Sequence, residues 1–331
     1  MLIRRAKRII AARFGLCILS LFGTNNISVN KAIQMKIKKL INPMLLLLAA
    51  FIWGVAFVAQ KSGANTVGPF LLLAARSYIG TVALIPVILI LGKKAPQPIV
   101  SGGNKKTLYI GGAVCGAILF SASAFQQIGI SEGTDAGKAG FITALYIVLV
   151  PVVSMFIGKK TSLKIWTSVV LSVVGLYLLC VTGGMSIQVS DLLLLCCALI
   201  FTFHILSVDK FSPRVECLKL SCLQFFVCGT LSLIFMLLTG EKNTAGGLLQ
   251  AYIPILYLGL MSSGVAYTLQ IVGQRGTNPT LASILMSLES VFAVLAGTLF
   301  GEKLSLREGI GCVIMFVAII LAQLPEKRKC E

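Results

Sequence analysis

Charge is scarce in this sequence. Only 12% of its 331 residues are Asp, Glu, Lys or Arg, against roughly 25% in an ordinary soluble domain. Acidic residues number eleven and histidine one, so the clustered His, Asp and Glu of an enzymatic or metal centre have little to be built from. None of the ten cysteines forms a Cys-x-x-Cys pair. Most of them (Cys115, Cys180, Cys196, Cys197, Cys222, Cys228, Cys312) lie in apolar runs, where a thiol behaves as a small apolar side chain rather than as a disulfide partner or metal ligand. A G-x-x-x-x-G-K-[ST] loop is also missing. That removes a phosphate-binding site of this type, and no cofactor is expected.

What is present is apolar. Hydrophobic residues make up 57% of the chain and mean hydropathy is +0.94. Forty charged side chains cannot cover a soluble fold of this length, whereas a bilayer requires the outside of a helical bundle to be apolar as well. The expected class is an all-α integral membrane protein. About 20 apolar residues cross a hydrocarbon core of about 30 Å, and ten such runs occur, at 43–60, 69–91, 107–127, 136–157, 163–182, 190–208, 218–239, 252–270, 278–300 and 305–324. Gly92-Lys93-Lys94, Gly102-Gly103-Asn104, Gly158-Lys159-Lys160, Gly183-Gly184 and Gly240-Glu241-Lys242-Asn243 separate them. These joints are too short to hold a soluble domain.

The net charge of +18 would fit a nucleic-acid partner, but its placement points elsewhere. With ten spans and the N-terminus inside, 23 of the 29 Lys and Arg fall on the inner side and five on the outer, Arg76 lying within a span. This is the positive-inside distribution. It predicts a multi-pass protein of the cell (inner) membrane with both termini cytoplasmic, a lipid bilayer as its surroundings and no nucleic acid as a partner. Residues 1–40 read as a basic tail with no assigned fold. Their apolar stretch 9–22 follows a basic start in the manner of a signal peptide, and Met35 is a second candidate start.

Internal similarity divides the rest. Gly158-Lys159-Lys160-Thr161-Ser162-Leu163 precedes the fifth run and Gly301-Glu302-Lys303-Leu304-Ser305-Leu306 the tenth. Both read G-x-K-x-S-L, and they stand at equivalent places in two halves, 43–182 and 190–324, followed by a C-terminal tail at 325–331. Five spans per half is an odd number, so the second copy enters the membrane in the opposite sense. Inverted repeats of this kind recur in secondary transporters, whose substrate sites lie near the midplane between the halves.

Several stretches resemble the drug/metabolite transporter superfamily, specifically its ten-span EamA-type members. They are Trp53-Gly54-Val55-Ala56-Phe57-Val58-Ala59-Gln60, Ala75-Arg76, the segment from Thr134 to Pro151, Ser263-Gly264-Val265-Ala266-Tyr267-Thr268-Leu269-Gln270, and Leu288-Glu289-Ser290-Val291-Phe292-Ala293 leading to Gly301-Glu302-Lys303. The resemblance covers about 43–324. It implies secondary transport without ATP hydrolysis, often export of amino acids or other small metabolites. One departure is Ser290, where many relatives have proline; its absence removes an expected helix kink.

Function in such a bundle is sought among polar groups that lipid disfavours, since an ionisable residue at mid-span costs roughly 2.5–3.5 kcal/mol to insert. Glu289 is the acidic residue deepest in an apolar run. It reads either as a coupling site for a proton or cation, or a contact for a cationic substrate group, or else as a structural tie between helices. Arg76 is placed to bind a substrate carboxylate, to pair with Glu289, or to snorkel to the outer headgroups. His204 suits a proton relay or a structural bond. Gln60, Gln126, Gln127 and Gln270 offer amides to a substrate or to neighbouring helices. Trp53, Tyr146 and Tyr267 either line a cavity or pack. Gly112-x-x-x-Gly116 and Gly297-x-x-x-Gly301 read as close-packing positions. The expected function is a secondary active transporter of a small polar metabolite, amino-acid or drug-like, working by alternating access and in the direction of export. A non-transporting membrane partner subunit and an integral-membrane enzyme stand as alternatives, and a homodimer is an open arrangement.

Overall fold

An uncharged run of apolar residues in lipid must satisfy its own backbone, and the helix does so within one segment. In the computed structural model the described residues are 27–91, 104–134, 136–159, 161–180, 188–241, 245–299 and 305–324. The chain divides into two units, 1–41 and 42–331. Residues 27–41 of the first are helical; the second unit holds everything that follows.

Among the described residues nine helical stretches are long and apolar enough to cross a membrane. They are Ile41–Ala64, Pro69–Leu91, Lys105–Ser131, Lys138–Phe156, Val189–Phe211, Cys217–Leu238, Tyr252–Gln274, Pro279–Ala296 and Leu306–Gln323, with a shorter apolar helix at Leu163–Leu178 in the fifth position. In chain order these are spans one to ten, each matching one predicted run. The fold is a ten-helix all-α membrane protein built from two repeats.

Local chemistry sets several ends. Asn104 caps span three by accepting from Thr107 N at 2.8 Å. Asn278 caps span nine, whose first residue is Pro279, and accepts from Thr280 N. Span ten opens on a capping box in which Ser305 Oγ accepts from Glu308 N and the Glu308 carboxylate accepts from Ser305 N, satisfying two otherwise orphaned donors. The serine of the second G-x-K-x-S-L copy is therefore a cap. Ser162, its counterpart, makes no such bond. Gly158 ends span four with φ +79, a conformation glycine adopts without steric cost, and Lys159 N then bonds back to Ser154 O. Gly301-Glu302-Lys303 and Gly183-Gly184 lie outside the described residues, as do the tails 1–26 and 325–331.

The packing is two-fold in pattern. Span two packs on span seven and span five on span ten, each against its own counterpart. Span three packs on span seven as span eight packs on span two. Small residues allow the close approaches: a Cβ on Gly80 would lie 2.8 Å from Ser263 Cβ, and one on Gly112 or Gly116 would meet Leu223 or Val227 at 2.6 and 2.7 Å. Gly112 and Gly116 thus act as packing positions. Of the second pair, Gly301 lies outside the described residues.

Two spans are interrupted. Span four consists of helices Ala136–Ala144 and Tyr146–Phe156, and span nine of Pro279–Met286 and Glu289–Leu299. Span nine is divided at Ser287-Leu288 although serine, not proline, stands at position 290. Here a hydroxyl competes for the backbone: Ser287 Oγ bonds Ile284 O, Leu288 N turns to Leu285 O and Ser290 N reaches back only to Ser287 O, while Ser290 Oγ bonds Gly140 O of span four at 3.0 Å. Span eight differs again, with Tyr257–Ala266 wound as a π-helix before Tyr267–Gln274. Such i→i+5 stretches are rare and tend to mark functional positions.

Candidate functional site

One face of span one carries Trp53, Ala56, Phe57 and Gln60, spaced at helical period. All four line a pocket of the second unit that holds about 470 Å³ of space not filled by protein, part of it open to the outside. The other walls are Arg76 of span two, Gln126 of span three, Thr143 and Tyr146 flanking the break in span four, and Phe201 and Ile205 of span six. Ser262, Tyr267 and Gln270 of span eight and Met286 and Glu289 of span nine complete it. Both repeats contribute, so the pocket lies between them.

Eight of the ten residues singled out in the sequence meet there: Trp53, Gln60, Arg76, Gln126, Tyr146, Tyr267, Gln270 and Glu289. Glu289 is only 6% exposed and accepts a 3.0 Å hydrogen bond from the Tyr146 hydroxyl. Arg76 is 3% exposed, so it does not reach the outer headgroups. Its Nη1 donates to Gln60 Oε1 at 3.4 Å. Among the described residues Arg76 and Glu289 form no ion pair with each other, and Arg76 Nε has no hydrogen-bond partner. Trp53 Nε1 and Gln270 Oε1 are likewise buried without partners. Gln126 Nε2 is held by Thr143 Oγ1 at 3.3 Å. Aromatic rings pack along one wall: Trp53 stands edge-on to Tyr267 at 4.7 Å between ring centroids, and Phe225, outside the lining, packs edge-on to Tyr267 at 5.3 Å.

Two candidates fall outside the pocket lining. Gln127 turns to span one and bonds Gln60 O at 3.5 Å. His204 is fully buried, shares a 3.2 Å bond between its Nε2 and Gln224 Oε1, and lies behind Tyr267 with ring centroids 6.0 Å apart.

Phe57, Thr143, Phe201, Ile205, Ser262 and Met286 also line the pocket and were not singled out beforehand. Helical period reaches Phe57 from Trp53 or Gln60, Thr143 from Tyr146, and Met286 from Glu289. It does not reach Ser262, which sits five residues before Tyr267. Only the wider π-turn brings those two to one wall.

The pocket therefore pairs a buried guanidinium with a buried carboxyl on different walls, within an aromatic shell. Such a site can hold a small solute with polar and apolar parts. Comparisons with known proteins bear on the family of the chain. An archaeal protein from Archaeoglobus fulgidus described as an uncharacterized transporter is 29% identical over 293 residues, which is 87% of each chain. The uncharacterized inner membrane transporter YedA of Escherichia coli K12 is 23% identical over 82% of this chain and 87% of its own. One solved crystal structure superposes with a TM-score of 0.71 at 20% identity, over 86% of this chain and 98% of the other; at that identity the likeness carries the fold. The model of the EamA-like transporter family matches twice, at residues 41–181 and 188–324. Two matches in tandem, each spanning one five-helix repeat with the pocket between them, mean that this chain belongs to the EamA-like transporter family.

Proposed function

We propose that the chain is a secondary active transporter that moves a small polar metabolite, amino-acid or drug-like, across the cell membrane by alternating access, in the direction of export. The observation that carries this reading is the juxtaposition of Arg76 and Glu289. Both are buried and both line a pocket between the repeats, yet they are not paired with each other. A purely structural pair of opposite charges would gain most by direct contact in a low-dielectric interior. Kept apart, Arg76 is free to hold an acidic group of the solute, and Glu289 to take up a proton or cation. The gradient supplies about 2.3 kcal/mol per elementary charge moved through 100 mV. On this reading Glu289 is the coupling group, Arg76 and Gln60 contact the solute, and Trp53, Tyr146, Tyr267, Gln126 and Gln270 shape the cavity. Gln127 and His204 act behind it. Both termini are cytoplasmic.

Uptake of a panel of labelled amino acids and metabolites by proteoliposomes, with and without an imposed pH gradient, tests the proposal. We expect gradient-stimulated flux of at least one compound, lost in Glu289→Gln. Gradient-stimulated flux that persists in the variant sinks Glu289 as the coupling group. Absence of flux for every compound, from protein that retains its fold, counts against the transporter reading.

A further inference from the structure

The two-fold pattern of the packing runs through three pairs of spans. Spans two and seven meet, and so do five and ten. The third pair is spans four and nine, the two interrupted ones. Tyr146 and Glu289 are 143 positions apart. The same offset carries Tyr146–Phe156 onto Glu289–Leu299 and Leu163–Cys180 onto Leu306–Gln323. The Tyr146–Glu289 hydrogen bond therefore joins equivalent residues of the two repeats, and each is the first residue of the helix that follows its break. A second bond, Ser290 Oγ to Gly140 O, ties the same two spans. Gly54 of span one lies so close to this junction that a Cβ there would sit 2.8 Å from Glu289 O.

Helix breaks absorb backbone rotation when domains or repeats rock, whereas continuous helices move as rods. A bond placed at both breaks at once links the two points where such rotation would be taken up. Had the two positions carried the same residue, exchanging the conformations of the repeats would map the bond onto itself. It would then favour neither orientation of the pocket, because an interaction equal in two states shifts no population. One position is tyrosine and the other glutamate, a donor facing an acceptor, so the exchange does not reproduce the bond.

We propose that the Tyr146–Glu289 hydrogen bond is a latch between the repeats: Tyr146 is a positioning residue that holds the Glu289 carboxyl at the pocket wall, and the bond biases which side of the membrane the pocket faces. The proposal rests on the alternating-access reading and deepens it. A solute that enters beside Glu289 competes for the carboxyl and so releases the latch. The same step removes one of the two side-chain bonds between spans four and nine and occupies the site.

The test reads accessibility rather than flux. A Ser262→Cys reporter in an otherwise cysteine-free chain places one thiol in the pocket, and a membrane-impermeant maleimide is applied to right-side-out and inside-out vesicles. We expect the ratio of labelling rates from the two faces to change by about fivefold or more in Tyr146→Phe. In the exchange pair, Tyr146→Glu with Glu289→Tyr, donor and acceptor trade repeats, and the ratio should move to the opposite side of the Tyr146→Phe value from the parent. An unchanged ratio in folded Tyr146→Phe overturns the latch, as does an exchange pair whose ratio equals that of Tyr146→Phe. Should Tyr146→Phe not be recovered folded, the exchange pair measured against the parent decides: a ratio equal to the parent's overturns the proposal. Labelling of the parent from one face only, in every condition, would instead sink alternating access itself, so the two failures are distinguishable.

Discussion

Placing a charged side chain at mid-span costs roughly 2.5–3.5 kcal/mol, and Glu289 and Arg76 meet that cost differently. Glu289 is given a donor, the Tyr146 hydroxyl. Arg76 is given only a long contact to Gln60 and the enclosure of the pocket. Replacing Glu289 by glutamine preserves an acceptor for Tyr146, so the apparent melting temperature in detergent should stay close to the parent's. Glu289→Leu strands the tyrosine hydroxyl and should lower stability by about 1–3 kcal/mol, the usual cost of an unsatisfied buried polar group. Arg76→Lys keeps the charge but loses the planar fork. Where flux of a carboxylate-bearing compound is found, we expect that substitution to raise the half-saturating concentration about tenfold or more, the scale of a lost charge-assisted contact. An unchanged value would remove Arg76 from solute contact.

At the scale of elements, the junction of spans one and nine is the least forgiving. A Cβ on Gly54 would lie 2.4 Å from Phe292 Cβ and 2.8 Å from the backbone of Ala293 and Glu289, so neither side chain nor rotamer can make room. Gly54→Val should cost about 1–3 kcal/mol, as overpacking does, and should depress the yield of monodisperse protein. Gly246→Ala, where a Cβ meets nothing within 4 Å, is the matched control and should behave as the parent. Span four is tied to span six at both ends, by Lys138 to Asp191 at 2.7 Å and by Lys159 to Asp209. The lysines are partly exposed, so each pair is worth at most about 1 kcal/mol. Asp209→Asn should therefore change thermal stability little.

The whole molecule is organised by duplication. One span, Tyr252–Gln274, separates the loop after span seven from the turn after span eight, so the two fall on opposite faces. A cysteine at Gly246 should be labelled from outside intact cells by an impermeant maleimide, and one at Thr277 only after permeabilisation. A reporter fused after Glu331 should behave as cytoplasmic. Labelling at Thr277 from outside would reverse the orientation inferred from the lysines and arginines.

Each level of this organisation has its own source. Composition and period determined the class, the ten runs, the two-fold duplication and most of the pocket's polar residues, because a bilayer leaves a sequence few ways to satisfy its backbone and makes every mid-span polar group conspicuous. Tertiary structure alone decided the rest. It put Arg76 and Glu289 in one pocket without pairing them, since the distance between residues on spans two and nine depends on helix packing and not on spacing along the chain. It broke span nine without proline, where Ser287 Oγ takes the Ile284 carbonyl and Leu288 N turns to Leu285 O instead. It brought Ser262 beside Tyr267 through a π-turn that no helical period anticipates. And it made Tyr146, an aromatic residue with nothing local to distinguish it from a packing residue, the partner of the buried carboxyl at the equivalent position of the other repeat.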